Sequence, residues 1–148
     1  MAIDYDKLFP EVDRDKTAAQ VRTFFERQYP KFKRYAETDT TALKSPMSDG
    51  QPKSPNFTNT AENNIIRQLT AETIVCNVHK AVDGCDAMSK KIIKGCYFRH
   101  VSNANMQTLI GYEHTRYNEL KTEALNQFAD AFDKYDHFYD LHVYKSGN

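Results

Sequence analysis

The sequence predicts an all-α fold, a helical bundle closed at its C-terminal end by a helix-turn-helix, and three observations carry that prediction. Tyr117, Leu120, Ala124, Phe128 and Ala131 recur at gaps of three or four residues, the buried stripe of one amphipathic helix. Gly111 separates that stripe from a shorter apolar pattern holding Ala104, Met106, Leu109 and Ile110, and glycine readily adopts the positive φ that ends a helix. Upstream, Asn63 through Val82 repeats Ile65, Ile66, Leu69, Val75, Val78 and Val82 at mixed helical spacing before stopping at Asp83-Gly84.

Leu8-Phe9-Pro10 forms a short apolar anchor ending in a structure breaker. Asp13 or Asp15 caps a helix through Val21, Phe24, Phe25 and Gln28. Pro30 interrupts it, and the pattern resumes with Phe32 and Tyr35, as a kink or as two short helices. Tyr29 to Tyr35 interleaves Lys31, Lys33 and Arg34 with aromatics. An amphipathic helix with aromatics inward is favoured there over a phosphate-and-stacking surface. Periodicity collapses from Glu37 to Thr60, where Pro46, Pro52, Pro55 and Gly50 mark a connection. The predicted organisation is an N-terminal helical segment (1–37), a Pro/Ser/Thr-rich linker (38–60), a helical bundle with the helix-turn-helix (61–135) and a tail (136–148). Thr60 is the expected cap of the long helix, and a second helix follows from Asp86 to Phe98. In the tail, Phe138, Leu141 and Tyr144 are expected to dock on the bundle, since so many exposed aromatics would invite association.

The chain has 148 residues, enough for a modest core, and 40% hydrophobic against 27% charged content is ordinary for a soluble protein. Twenty bases cancel twenty acids, so no global positive field marks a nucleic-acid binder and any DNA contact has to be local. No signal peptide is expected from Met1 to Pro10, and no apolar run reaches membrane-span length. Three cysteines cannot all pair, and a reducing cytoplasm is the simpler setting.

Function is sought on the outer face of the last helix. Thr115, Glu119, Thr122 and Asn126, with Asn118 at the edge, offer hydroxyl, carboxylate and amide groups of the kind that read base edges. A plain solvated face is the competing reading. Lys90, Lys91, Lys94 and Arg99 against Asp86 leave 86–99 at +3, placed where a preceding helix meets the phosphate backbone. From Tyr112 to Ala131, Arg116 and Lys121 oppose Glu113, Glu119, Glu123 and Asp130, a net −2, so phosphate attraction from this helix alone is weak.

Cys76/His79 and Cys96/His100 have spacings that would place a zinc set on two helices, yet buried free cysteine is commoner and no metal or other cofactor is expected. No nucleophile motif, carboxylate pair or phosphate-cradling glycine loop is present, so an enzyme is not predicted.

Several short landmarks occur in a fixed order along nearly the full chain: Leu8-Phe9-Pro10-Glu11, Leu43-Lys44-Ser45-Pro46, Asp49-Gly50, Pro52-Lys53-Ser54, Glu62 to Leu69, Gly111 to Phe128, and Val143-Tyr144-Lys145. As an ordered set they resemble the ArpU family of phage-encoded transcriptional regulators. The segment from Gly111 to the Ala124-Leu125 pair resembles region 4 of sigma factors, with Glu113 where serine or threonine usually caps. The resemblance implies a sigma-region-4-like unit that switches on phage late genes in the bacterial cytoplasm. It implies base reading by His114, Thr115, Asn118 and Glu119, and phosphate contact by Arg116, to which Lys121, the segment's other base, is added. Double-stranded DNA is the implied partner. Host RNA polymerase and a second copy of the chain are further candidates, and no membrane is involved.

Overall fold

The computed structural model describes residues 8–37 and 55–145, with the backbone alone over 55–60. Among these residues every regular element is a helix, and an isolated antiparallel bridge joins Val12 to Tyr144. The landmarks between 38 and 54 lie outside the described residues.

Helix α1 (Arg14–Thr23) starts where Asp13 accepts the Lys16 N–H at 3.0 Å. It runs without a break through a π-helical turn, Phe24–Gln28, into α2 (Tyr29–Ala36). Pro30 explains the widened turn: it offers no N–H, and its ring would collide with the carbonyl four residues back in a regular helix. The Tyr29 N–H instead reaches five residues back to the Phe24 carbonyl. The helix therefore continues through Pro30 rather than dividing into two separate helices. Tyr29 is buried and Lys31, Lys33 and Arg34 are exposed as the pattern implies, but Phe32 is only half-buried and Tyr35 is exposed.

Helix α3 (Pro55–Asp83) is 29 residues long and begins at Pro55 rather than at Thr60, because proline is well suited to the first turn, where no N–H is needed. Val78 and Val82 enter the core, whereas Ile65, Ile66 and Leu69 stay exposed. Asp86 caps α4 (Ala87–Ile93) by accepting the Ser89 N–H at 2.8 Å, and a second π-helical turn, Lys94–Phe98, follows. Ser102 caps α5 (Asn103–Ile110). Gly111 then takes φ +85°, and α6 (His114–Tyr135) runs for 22 residues. In α5 only Met106 is buried; Ala104 and Leu109 are exposed.

Helix α6 is the hub, packing against α1, α3 and α4. Its predicted stripe is real: Tyr117, Ala124, Phe128 and Ala131 are buried and Leu120 is half-buried. Phe24 from α1's π turn lies 6.3 Å from Phe128 and 5.5 Å from Phe132, and Phe25 stacks on Tyr97 at 4.6 Å. Residues on both sides of the 38–54 stretch thus share one core. Aromatic burial of this kind contributes on the order of 2–3 kcal/mol per side chain.

The tail returns to the start of α1. The Asp13 N–H donates to the Val143 carbonyl at 2.8 Å, and the Lys145 N–H donates to the Glu11 carbonyl at 2.9 Å. Buried Asp136 accepts from Asn77 and from the backbone of Phe138 and Tyr139. Leu141 docks as expected, but Phe138 and Tyr144 are exposed; Tyr139 is the ring that packs, 6.1 Å from Phe24.

His142 ties this tail to α6, with Nε2 2.7 Å from Asp130 and Nδ1 2.8 Å from Asp140. Burial lowers the basicity of the ring, but the bonds to Asp130 and Asp140 outweigh it and raise the pKa above the ordinary 6.5. Burial likewise pushes Asp140 up, but the Tyr144 hydroxyl and His142 hold its carboxyl below the usual range. Protonated His142 is therefore favoured in the folded chain. Its contribution to stability is complete below the ordinary histidine value and is lost as pH rises through the raised one; Asp140's is lost as pH falls through its lowered one. The expected outcome is a His142 NMR titration midpoint above 6.5, with denaturant stability declining as pH rises from the ordinary histidine value through the raised one and His142→Asn flattening that decline. A midpoint at or below the ordinary value would rule out the strut.

Candidate nucleic-acid interface

The exposed end of α6 follows directly from the turn before it. With Gly111 in the left-handed region, the chain reverses and starts α6 at the surface. Glu113 occupies the N-cap position but makes no side-chain capping bond. Its charge still complements the positive end of the helix, while the first N–H groups have no side-chain cap.

His114, Thr115, Arg116, Asn118 and Glu119 are all exposed over the first two turns. Asn118 Nδ2 lies 3.1 Å from His114 Nε2, and Arg116 donates to Glu119 at 3.0 Å. These are exposed, local contacts that cost little to exchange for others. Thr115, Asn118, Glu119 and Thr122 line a shallow depression of about 400 Å³ together with Arg14 and Asp15 from α1.

Two assignments made from the helical pattern need correction. Asn126 is not on the outer face: it is buried, donating to the Arg14 carbonyl at 3.0 Å and the Thr122 carbonyl at 2.9 Å. The row Thr115, Glu119, Thr122, Asn126 drifts round the helix, and its far end meets α1. Lys121 is 7% exposed, so it cannot reach a phosphate outside the fold. Its ammonium donates to Asn103 Oδ1 at 2.7 Å and sits 5.4 Å from the centre of the Tyr97 ring. Asn103 also accepts from the Tyr117 hydroxyl at 2.9 Å, so one amide pins the start of α5 to α6. Desolvation by burial lowers the Lys121 pKa. Its position was legible, since Tyr117, Lys121, Ala124 and Phe128 share one helical stripe.

Among the basic residues near the second π turn, Lys91 and Arg99 are exposed. Lys90 is half-buried, and Lys94 pairs with Asp83 at 3.5 Å. Arg14 and Asp15 are the residues that sequence reading missed. Nothing local points to them, because 109 positions separate Arg14 from its ion-pair partner Glu123.

The four candidate zinc ligands are dispersed in role. Cys76 is exposed, and His79 lies 3.4 Å from the Tyr29 hydroxyl and 5.1 Å from the Phe98 ring. Cys96 contacts Asn103 and Tyr117, and His100 is exposed with φ +57°. Among the described residues, the donors grouped closely enough to hold an ion are Asp133, Asp140 and His142, within 4.8 Å of one another. Both His142 nitrogens are already committed to carboxylates there, which makes that group an ion-pair strut.

No protein-family model and no solved structure matches the chain. A curated protein of Enterococcus hirae, described as "Putative autolysin regulatory protein ArpU", is 27% identical over 128 residues, spanning 85% of this chain and 93% of that protein. The likeness is to a regulatory protein, nearly end to end.

Two outcomes are expected here. Lys121→Met should be neutral or stabilising, because an apolar chain of similar length replaces an ammonium with no carboxylate partner among the described residues. In a DNA-binding assay, the variant and the wild-type chain should give the same salt dependence, whereas a slope reduced by about one would restore Lys121 as a phosphate contact. Elemental analysis of protein purified without added metal should find no stoichiometric zinc, and about one zinc per chain would reinstate the Cys/His set.

Proposed function

We propose that this chain is a phage-encoded transcription regulator of the bacterial cytoplasm that reads double-stranded DNA with the first two turns of α6, in the manner of sigma region 4, to control late genes. The observation that carries this reading is the exposed quartet His114, Thr115, Asn118 and Glu119 directly after the Gly111 turn. A recognition helix meets base edges with its N-terminal residues, which is where these four lie. The regulatory name of the E. hirae relative supports the same reading. The role is one of binding and needs no cofactor. Among the described residues no helix is long and apolar enough to cross a membrane.

The chemistry assigns each side chain a task. Asn118 pairs with both acceptor and donor groups of an adenine, Glu119 accepts from a cytosine amino group, and the Thr115 methyl meets a thymine methyl. His114 stands beside Asn118 and orients it. Arg116, Lys91 and Arg99 are the exposed candidates for phosphate, with Lys90 and Lys94 behind them. The net −2 of 112–131 makes tight binding by α6 alone unfavourable, so host RNA polymerase or a second copy of the chain shares the work.

A second reading is favoured by a different surface. Ile65, Ile66 and Leu69 on α3 are 47%, 59% and 57% exposed, beside a depression of about 470 Å³ in which Phe32, Tyr35 and Ala71 are joined by Lys31, Arg67 and Thr70. Such an apolar face suits a helical interaction protein that acts through polymerase or another phage protein and never reads bases.

Selection from phage DNA fragments across a salt series separates the two. Asn118→Ala and Glu119→Ala should each relax preference at one or two adjacent base pairs, by about 1–3 kcal/mol per lost contact, with the fold intact. Unchanged affinity and preference at a footprinted site would transfer the function to the α3 face.

A further inference from the structure

We propose that Arg14, on the first turn of α1, is a phosphate contact of the same interface, so that the DNA-binding surface is built from both ends of the chain. This rests on the reading of α6 as the DNA-contacting helix. The depression beside the reading residues has two walls: Thr115, Asn118, Glu119 and Thr122 from α6, and Arg14 with Asp15 from α1. The α1 wall is fixed in place independently of the Arg14 side chain. Buried Asn126 holds the Arg14 carbonyl at 3.0 Å, and Asp13, one residue earlier, is bonded to the tail through Val143.

The guanidinium rests on the Glu123 carboxylate, with the two side chains 58% and 45% exposed. An exposed pair of this kind is weak and is readily exchanged for a stronger bidentate partner such as a phosphate. Its level on the helix suits the backbone rather than the bases. From Thr115 to Glu123 is about 12 Å along the axis, comparable to the width of a major groove. A helix that enters with His114 and Thr115 foremost therefore has Arg14 at the lip of the groove, where the phosphates run. This adds to exposed Arg116 a positive charge that buried Lys121 cannot supply. Asp15 on the same wall opposes the attraction, and Glu123 competes for Arg14.

The test uses the full chain with a selected duplex and a random-sequence duplex over a salt series. Arg14→Gln should weaken both duplexes alike, by about eightfold at 0.1 M salt, which is what the loss of about 0.9 in the log–log salt slope amounts to. Glu123→Gln, which frees Arg14, should tighten both, and so should Asp15→Asn. Circular dichroism and thermal melting check that each variant is folded. Arg14→Gln with unchanged affinity and slope, or Glu123→Gln weakening binding as much as Arg14→Gln does, would overturn the inference and leave the pair structural. A change in preferred sequence on loss of Arg14 would overturn the assignment to phosphate. If the wild-type chain retains neither duplex, the reading of α6 itself fails and takes this inference with it.

Discussion

Everything else in this molecule depends on burying one side of α6. Its 22 residues meet α1, α3 and α4 at once, and the Phe24, Phe25, Phe128 and Phe132 rings fill the space between them. A helix buried on so wide an arc has little circumference left. The outward side is open over the first two turns and again at Asp130, Asp133, Lys134 and Tyr135, and between them α1 closes on the flank at Thr122 and Asn126. The pattern of exposure along α6 is thus a packing consequence: both ends of the helix keep an exposed side, and its middle belongs to the core.

The junction between those two parts is polar rather than apolar. Asn103 Oδ1 receives Tyr117, Lys121 and, more distantly, the Cys96 sulfur, so α5, α6 and the second π turn converge on one acceptor. A buried ammonium served by an amide and an aromatic face is not the most stabilising choice for the site. What it contributes is registry: only one rotation of α6 brings both Tyr117 and Lys121 to the first residue of α5. The angle between α5 and α6 is held by that joint as much as by the glycine turn.

The termini obey a related logic. The tail pairs with residues 11–13 through backbone bonds and with α6 through His142, so the segment before α1 and the segment after α6 are tied to each other and to the central helix. Asp136 is satisfied by Asn77 and two backbone N–H groups, which lets it be buried without a cation. In this way the start of α1 acquires a fixed position beside the N-terminal turns of α6, although no local sequence feature connects them.

How much was legible beforehand divides by the range of the interaction. Asp13, Asp86, Gly111 and the stripe from Tyr117 to Ala131 could be read from the chain, because caps, left-handed turns and helical faces depend on residues within a few positions of one another. So could the weak cap at Glu113 and the exposure of His114, Thr115, Asn118 and Glu119. Pro30 announced a disturbance, but only the packed structure chose a π turn over a break, since continuing the helix lets Phe24, Phe25 and Tyr29 all reach the core. The burial of Asn126, the exposure of Ile65, Ile66 and Leu69, and the arrival of Arg14 beside Thr122 were decided by tertiary structure. Each depends on which element lies opposite, and that is set by contacts between residues far apart in the chain, about which periodicity is silent.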